Sequence, residues 1–547
     1  MCSAGQYIAM TSFYLLIVFA TCGIFYLFRL KSVISITITD LAVFIFLLYG
    51  LLHIGISQDF RCDPFVWFKW SGILLCYLFF RRLKRPRVVL HGIVLYGVFQ
   101  SVVAIGQYLS FFDSSHRFFS ITGTIGNPGP LGGFLAVAAV CCIELLLDAS
   151  SQKRFSCLTN RILSGLAICI LTAGLLLTDS RAAFLSVLTG LIVFWSEPVR
   201  KLFNKYKTIA AIIFAGTAIG LCCLLYLHRP ASANARGLIW RVSAEMIAEK
   251  PVFGHGVGAF DRKYMLYQAD YFEQRPESPL AIVADNVAYP YNELIHILIE
   301  LGIVGGILLS AVFFAGFAFC PSGKVNRSQK AGLAAFLVFS LFSYPVEVIE
   351  LLILPAVLLG SLPSKPVYIL HIRSWMKYVA AGILAGIIFL SAEGITILRK
   401  ISVEIALQAR SDNPISTPCC DRYFEVLKYN ADINMAYLPL LCRLPCQTEN
   451  RHKIENMFPS SETYCCLGEA YQSCGEEERA EQLFRKAADM VPTRILPNYR
   501  LWQLYVKRGD ENQAHKLAQK IISQPLKVEN TFTLQVKGEI NRYLIAY

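Results

Sequence analysis

Charge is scarce in this chain. Only 16% of its 547 residues are Asp, Glu, Lys or Arg, where a water-soluble domain carries roughly a quarter. Apolar residues make up 55%, more than a soluble core absorbs, so a purely soluble enzyme is excluded. Glycine and proline show no period, and aromatics reach 13%, which excludes collagen and disorder. Paired zinc spacing is missing. A dinucleotide fingerprint is missing too, because the glycine cluster follows a helix pattern rather than a strand. The first apolar segment has no charged n-region and no cleavage site, so it reads as a retained helix and not a signal peptide. The excess of 51 basic over 38 acidic residues, a net +13, suits the cytoplasmic loops of a membrane protein and not nucleic-acid binding.

Long apolar runs are what the chain does have. A bilayer core takes about 20 apolar residues as a helix. Candidate spans lie near 7–28, 33–56, 64–80, 88–111, 128–147, 162–178, 182–196, 208–227, 292–319, 331–343, 347–361 and 376–393. The fold class is therefore an all-α polytopic bundle of about twelve spans, with 182–196 and 331–361 short or broken. Lys and Arg mark the cytoplasmic side. The run Arg81-Arg82-Leu83-Lys84-Arg85-Pro86-Arg87 is the strongest anchor. Alternating from it places Lys153, Arg200, Lys324, Lys365 and Arg373 inside. The N-terminus, loop 228–291 and the tail from 394 fall outside. The organisation expected is a membrane domain at 1–393 and an outer helical-repeat domain at 394–547.

Eleven of the 18 cysteines precede residue 321, mostly within spans, where they serve as small apolar fillers. Seven lie in the tail, where an oxidising compartment permits disulfides, although their odd number argues against a full framework. In that tail a shift of 34 residues superposes Leu467 on Leu501, Tyr471 on Tyr505, Gly475 on Gly509 and Ala480 on Ala514. Together with Gly468, Phe484, Ala487 and Pro492 the pattern resembles a tetratricopeptide repeat. Residues 402–460 are expected to add further helix pairs. Two roles stay open for the tail: a structural cap, or a groove that docks a polypeptide.

Loop 228–291 holds seven Lys/Arg and seven Asp/Glu. Ile239, Val242, Met246 and Ile247 follow helical spacing up to Pro251. Then comes the glycine-dense turn Gly254-His255-Gly256-Val257-Gly258, where backbone can approach another chain closely. The next span opens at Tyr291-Asn292-Glu293, and His296 and Glu300 share its polar stripe. Such a stripe in a membrane helix faces the protein interior or a wet cavity.

The order of these segments resembles the O-antigen ligase family, which includes O-antigen polymerases and protein O-oligosaccharyltransferases. The residues carrying the likeness are Ser180-Arg181-Ala182-Ala183, Arg236 with Trp240, and Pro251-x-x-Gly254-x-Gly256-x-Gly258-x-Phe260. Asn292-Glu293-Leu294, Glu300-Leu301-Gly302 and Gly126-Asn127-Pro128 complete it. The likeness spans roughly residues 30–360. It implies a GT-C-like transferase that moves a glycan from undecaprenyl diphosphate to an acceptor hydroxyl outside the membrane, with no metal and no cofactor. The implied setting is the bacterial inner membrane, with loop and tail in the periplasm.

A departing diphosphate needs cations, and Arg pairs two phosphate oxygens while staying charged in apolar surroundings. Arg181 and Arg236 are the candidates, with Arg241 a weaker third. Arg181 also fits an interface anchor, and Arg236 a helix-surface residue paired with a carboxylate. The acceptor hydroxyl needs a proton acceptor. Where most members of the family have His-Asn, this chain has Tyr291-Asn292, and a phenol near pKa 10 is a poor base. His296 and Glu293 are then the catalytic candidates, beside Tyr291 and Asn292. The same stripe also fits a helix-packing network, above all at Glu300. His255 is a further candidate, and Asp285 reads more simply as a loop cap.

Glycan transfer to lipid A–core ranks first, then transfer to an exported protein, then repeat-unit polymerisation. A transporter or a non-catalytic scaffold ranks below these. The partners implied are the lipid-linked donor, a lipid or protein acceptor, membrane lipid and a protein docked on the repeats.

Overall fold

The computed structural model describes residues 4–29, 33–56, 64–83, 86–114, 116, 118–151, 156–195, 230–321, 323–371, 373–408, 455, 459–527 and 529–546. Helices dominate, because a helix satisfies its own backbone donors and acceptors where water is absent. Among the described residues, five helices are long and apolar enough to cross a membrane: Pro86–Tyr108, Pro128–Leu147, Thr159–Leu177, Glu293–Ala318 and Ser374–Ile397. Shorter apolar helices run over Leu16–Phe25, Ile38–His53, Arg181–Phe194 and Ile349–Ser361. The span expected near 208–227 lies outside the described residues.

The region expected to be broken is built as helix Lys324–Ser340, a turn at Pro345–Glu347 and helix Ile349–Ser361. The candidate span Ser374–Ile397 covers the apolar run 376–393, and its helix continues beyond it. Ser374–Gln408 is one element, so the boundary drawn between the two domains falls inside a helix. The Pro128–Ser151 helix lies at the centre of the bundle, with Leu131, Leu135, Ala138 and Cys141 fully enclosed.

An all-α reading needs one correction. Val33–Thr37 (β1) pairs antiparallel with Pro366–His371 (β2). Both connections are rich in β-branched residues, Val33, Ile34, Ile36 and Thr37 against Val367 and Ile369, which suit an extended ladder. This pair closes one end of the bundle. Arg81 bonds Asp40 at 2.9 Å just beyond it. The opposite end carries the Lys69–Glu347 pair at 3.0 Å and the start of the Arg181 helix.

The stretch before residue 291 folds as helices Pro230–Glu249 and Ala259–Gln274. The tail folds as Ser461–Ser473, Glu477–Met490, Ile495–Arg508, Glu511–Ser523 and Thr531–Ala546. Gly475 and Gly509, 34 residues apart in the sequence, both end a helix in the left-handed region, with φ of 82° and 74°. Cys474 is disulfide-bonded, while buried Cys465 is a thiol. The helix pairs expected within 402–460 lie outside the described residues. Loop and tail share one apolar core, with Val242, Phe260 and Tyr264 from the loop and Leu467, Phe484 and Met490 from the tail.

Candidate active site

The glycine turn opens a membrane helix. Gly302 sits inside Glu293–Ala318 with φ 66° and ψ −169°, so the helix is interrupted there. Its loosened backbone is taken up by the turn. His255 N donates to Ile299 O at 2.7 Å and Gly256 N to Glu300 O at 2.9 Å. In return Ile303 N donates to Pro251 O at 2.9 Å. Tyr49 Oη satisfies the Leu301 carbonyl at 2.9 Å. A Cβ on Gly302 would overlap the Val252 carbonyl, and one on Gly254 would overlap Glu300 backbone. Non-helical backbone at membrane depth is tolerated only where protein satisfies it, as here. This is the physical reason for glycine at 254 and 302.

Arg181 begins the Arg181–Phe194 helix, whose approach is set by Gly132. A Cβ on Gly132 would stand 2.8 Å from both Ser180 Cβ and Thr178 Oγ1. Gly132 belongs to the helix that Asn127 starts by accepting from Gly129 N at 2.9 Å. The Arg181 guanidinium reaches across to Ser232 Oγ at 3.3 Å. Ser232 and Arg236 are four residues apart on Pro230–Glu249, hence on one face. Burial, and after it the like charge of Arg181, pulls the Arg236 guanidinium down from its ordinary range. Two cations that sequence places on separate elements therefore meet.

Aromatic rings surround them. The Arg236 guanidinium carbon lies 5.5 Å from the centroid of the Tyr291 ring. Tyr291 meets Tyr344 edge-on at 5.4 Å, and Tyr344 stacks on Tyr289 at 4.5 Å. Trp240 ties this strap down, its indole donating to Pro290 O at 2.9 Å. Tyr291 itself has φ 52°, an uncommon conformation for a bulky residue. Burial pushes its phenol further above its ordinary range, against the lowering effect of the Arg236 charge. Tyr289 and Tyr344 were not read as site residues from the sequence. Only their packing on Tyr291 and on each other reveals them.

The polar stripe is a closed network. Asn292 caps the helix, accepting from Leu294 N at 2.9 Å and Ile295 N at 3.2 Å. His296 Nδ1 lies 3.3 Å from Glu293 Oε2, and its Nε2 lies 3.2 Å from Glu300 Oε1. Glu293 Oε1 also accepts from Val346 N at 3.1 Å, and Glu300 Oε1 from Gly258 N at 2.7 Å. Both imidazole nitrogens are thus engaged by carboxylates that are themselves tied to neighbouring loops. The stripe joins the helix to the glycine turn on one side and to the 344–346 turn on the other.

Asp261, in the first turn after the glycines, was also missed. Its surface is exposed, yet protein atoms surround its carboxyl. That enclosure, followed by the charges of Glu347 and Glu300, pushes its carboxyl up to about 7, while His296 and Lys69 act in the opposite sense. Arg241, five residues from Arg236, is turned about 140° around the helix. It donates to Tyr271 Oη at 3.4 Å instead. Buried His255 pairs through Nε2 with Met246 O at 2.8 Å, within the turn. Asp285 accepts from Arg494 at 3.1 Å and Lys527 at 2.8 Å.

Beside the network lies a cavity of about 490 Å³ between the helices. Its walls are apolar side chains such as Phe46, Trp70, Ile297 and Phe313, and Lys69, Glu293 and Pro345 also line it.

Residues 166–310 match the family model for the O-antigen ligase domain. The match takes in Arg181, Arg236, the glycine turn and the 291–302 segment. It supports glycosyl transfer of the ligase or polymerase type, in a helical membrane protein. No curated protein matches the chain.

Proposed function

We propose that this protein transfers a glycan from a polyprenyl diphosphate, undecaprenyl in the first reading, to an acceptor hydroxyl at the outer face of the inner membrane. The observation that carries the proposal is the meeting of Arg181 and Arg236 beside Tyr291. As the acceptor oxygen attacks C1 of the first sugar, the bond from C1 to the diphosphate oxygen breaks. The electron pair leaves with the diphosphate, whose growing charge falls to the two guanidiniums. The aromatic rings suit stacking on sugar, and the apolar cavity suits a prenyl chain. Asp261 takes the acceptor's proton, with the Glu293–His296–Glu300 network behind it. Enclosure and the charges of Glu347 and Glu300 push its carboxyl upward, toward what a general base requires, whereas both nitrogens of His296 are engaged.

Lipid A–core is the acceptor in the first reading, which makes the protein an O-antigen ligase. Loop 228–291 and the tetratricopeptide-like tail would then be periplasmic. Transfer to an exported protein is the second reading, and polymerisation the third. The tail's apolar packing onto the loop favours a cap over an open docking groove, and so favours the first reading. Deletion of the gene tests this. Loss of long-chain lipopolysaccharide on gels, with periplasmic glycoproteins unchanged, supports ligation. Loss of the glycoproteins alone selects the second reading, and survival of single repeat units alone selects the third.

A further inference from the structure

The segment 284–291 is a strap. Its far end carries Tyr289 and Tyr291, which pack on Tyr344 and Arg236. Its near end is gripped by the tail. Lys527 Nζ donates to Ala284 O at 3.2 Å and to Asp285 Oδ2 at 2.8 Å. Arg494 donates to Asp285 Oδ1 at 3.1 Å. The Asn286 side chain donates to Glu462 and accepts from Ser461 N at 3.3 Å. Gln268 bridges the two parts, donating to Asp285 O at 3.1 Å and to Met490 O at 2.6 Å. Three consecutive strap residues are therefore bonded to four tail residues that lie some 170 to 240 positions later in the chain.

From this we infer that Arg494 and Lys527 of the outer tail are positioning residues for the site, acting through Asp285. The tail fixes where the strap starts and Trp240 fixes Pro290, which holds Tyr289 before it on Tyr344 and Tyr291 after it on Arg236. An Ω-like connection without such anchors would sample many conformations, and Tyr291 at positive φ would relax. The tail is then an integral part of the donor pocket's wall, which explains why loop and tail share one apolar core. This rests on the transferase reading only for its kinetic arm.

The experiment uses the full chain in detergent or nanodiscs. The double variant Arg494→Gln/Lys527→Gln removes both cations, and Arg494→Lys/Lys527→Arg keeps them. Hydrogen exchange is followed over 284–291, and donor KM and kcat are measured separately. The neutral pair should exchange faster across 287–291 and show a donor KM raised roughly tenfold, with kcat changed less. The conservative pair should restore both. Unchanged exchange in the neutral pair overturns the inference. Faster exchange with wild-type KM overturns the positioning role. If the wild-type chain transfers no glycan, the functional reading fails, whereas the exchange arm still decides whether the tail holds the strap.

Discussion

Arg181 Nη2 lies 3.3 Å from Ser232 Oγ, one helical turn before Arg236. The contact joins the start of the apolar helix Arg181–Phe194 to the helix Pro230–Glu249 and brings the Arg181 charge within reach of Arg236. The proposed diphosphate would lie between them. Replacing either by Ala should lower transfer by roughly 10² to 10³ in kcat/KM, the usual loss for one oxyanion-stabilising donor. Arg236→Lys should recover little, since a point charge lacks the planar fork. Transfer assays on membranes with matched protein levels check this.

Asp261 sets a pH dependence. Its carboxyl rises from an ordinary value near 3.9 to about 7. The group's contribution to folding is therefore fully present below about 4 and is lost as pH climbs through about 7. Asp261→Asn should accordingly melt later than wild type at pH 8 and equally at pH 4. Catalysis runs the other way, because the ionised form accepts the proton. Wild-type kcat should rise with pH through about 7, and Asp261→Asn should lose roughly 10²-fold or more and flatten the profile.

His296 is held between Glu293 and Glu300. Removing the ring in His296→Ala leaves two enclosed carboxylates facing each other with a partner lost. The cost should be about 2 to 4 kcal/mol of stability, read as earlier thermal unfolding. The midpoint of the pH–rate profile should stay where Asp261 sets it. A displaced midpoint would return the proton role to His296.

Gly302 marks the opened helix. Gly302→Ala forces a side chain into φ 66° and against the Val252 carbonyl. The loss should reach about 2 kcal/mol or more, with falling yield of folded protein. Gly126, also at positive φ but with open space around its Cβ direction, should suffer less when changed to Asn.

The contrast between these residues also separates what the sequence makes legible from what it hides. Apolar runs of bilayer length announce the spans, and Gly475 with Gly509 announces the helical hairpins. Arg181 and Arg236 stand out because charge at a membrane boundary is expensive. The β1–β2 pair is hidden, since five or six extended residues between spans look like any connection. Asp261 is hidden for a different reason. It sits among the loop's balanced charges, and only the fold brings Glu347, from a turn far along the chain, close enough to raise its carboxyl. Asn292 caps a helix, and Glu300, whose place in the stripe suits helix packing, holds Gly258 N. Tyr291 stands where the resemblance leads one to expect histidine, and its ring lies against Arg236.

The most direct test of the account is a double-mutant cycle on binding. A short-chain prenyl diphosphate is titrated into purified wild type, Arg181→Ala, Arg236→Ala and the double variant. If the two guanidiniums share one diphosphate, each single change abolishes most of the affinity and the double adds little, giving a coupling of about 1 kcal/mol or more. Affinities that fall independently and additively, or that do not fall at all, would contradict a shared diphosphate site.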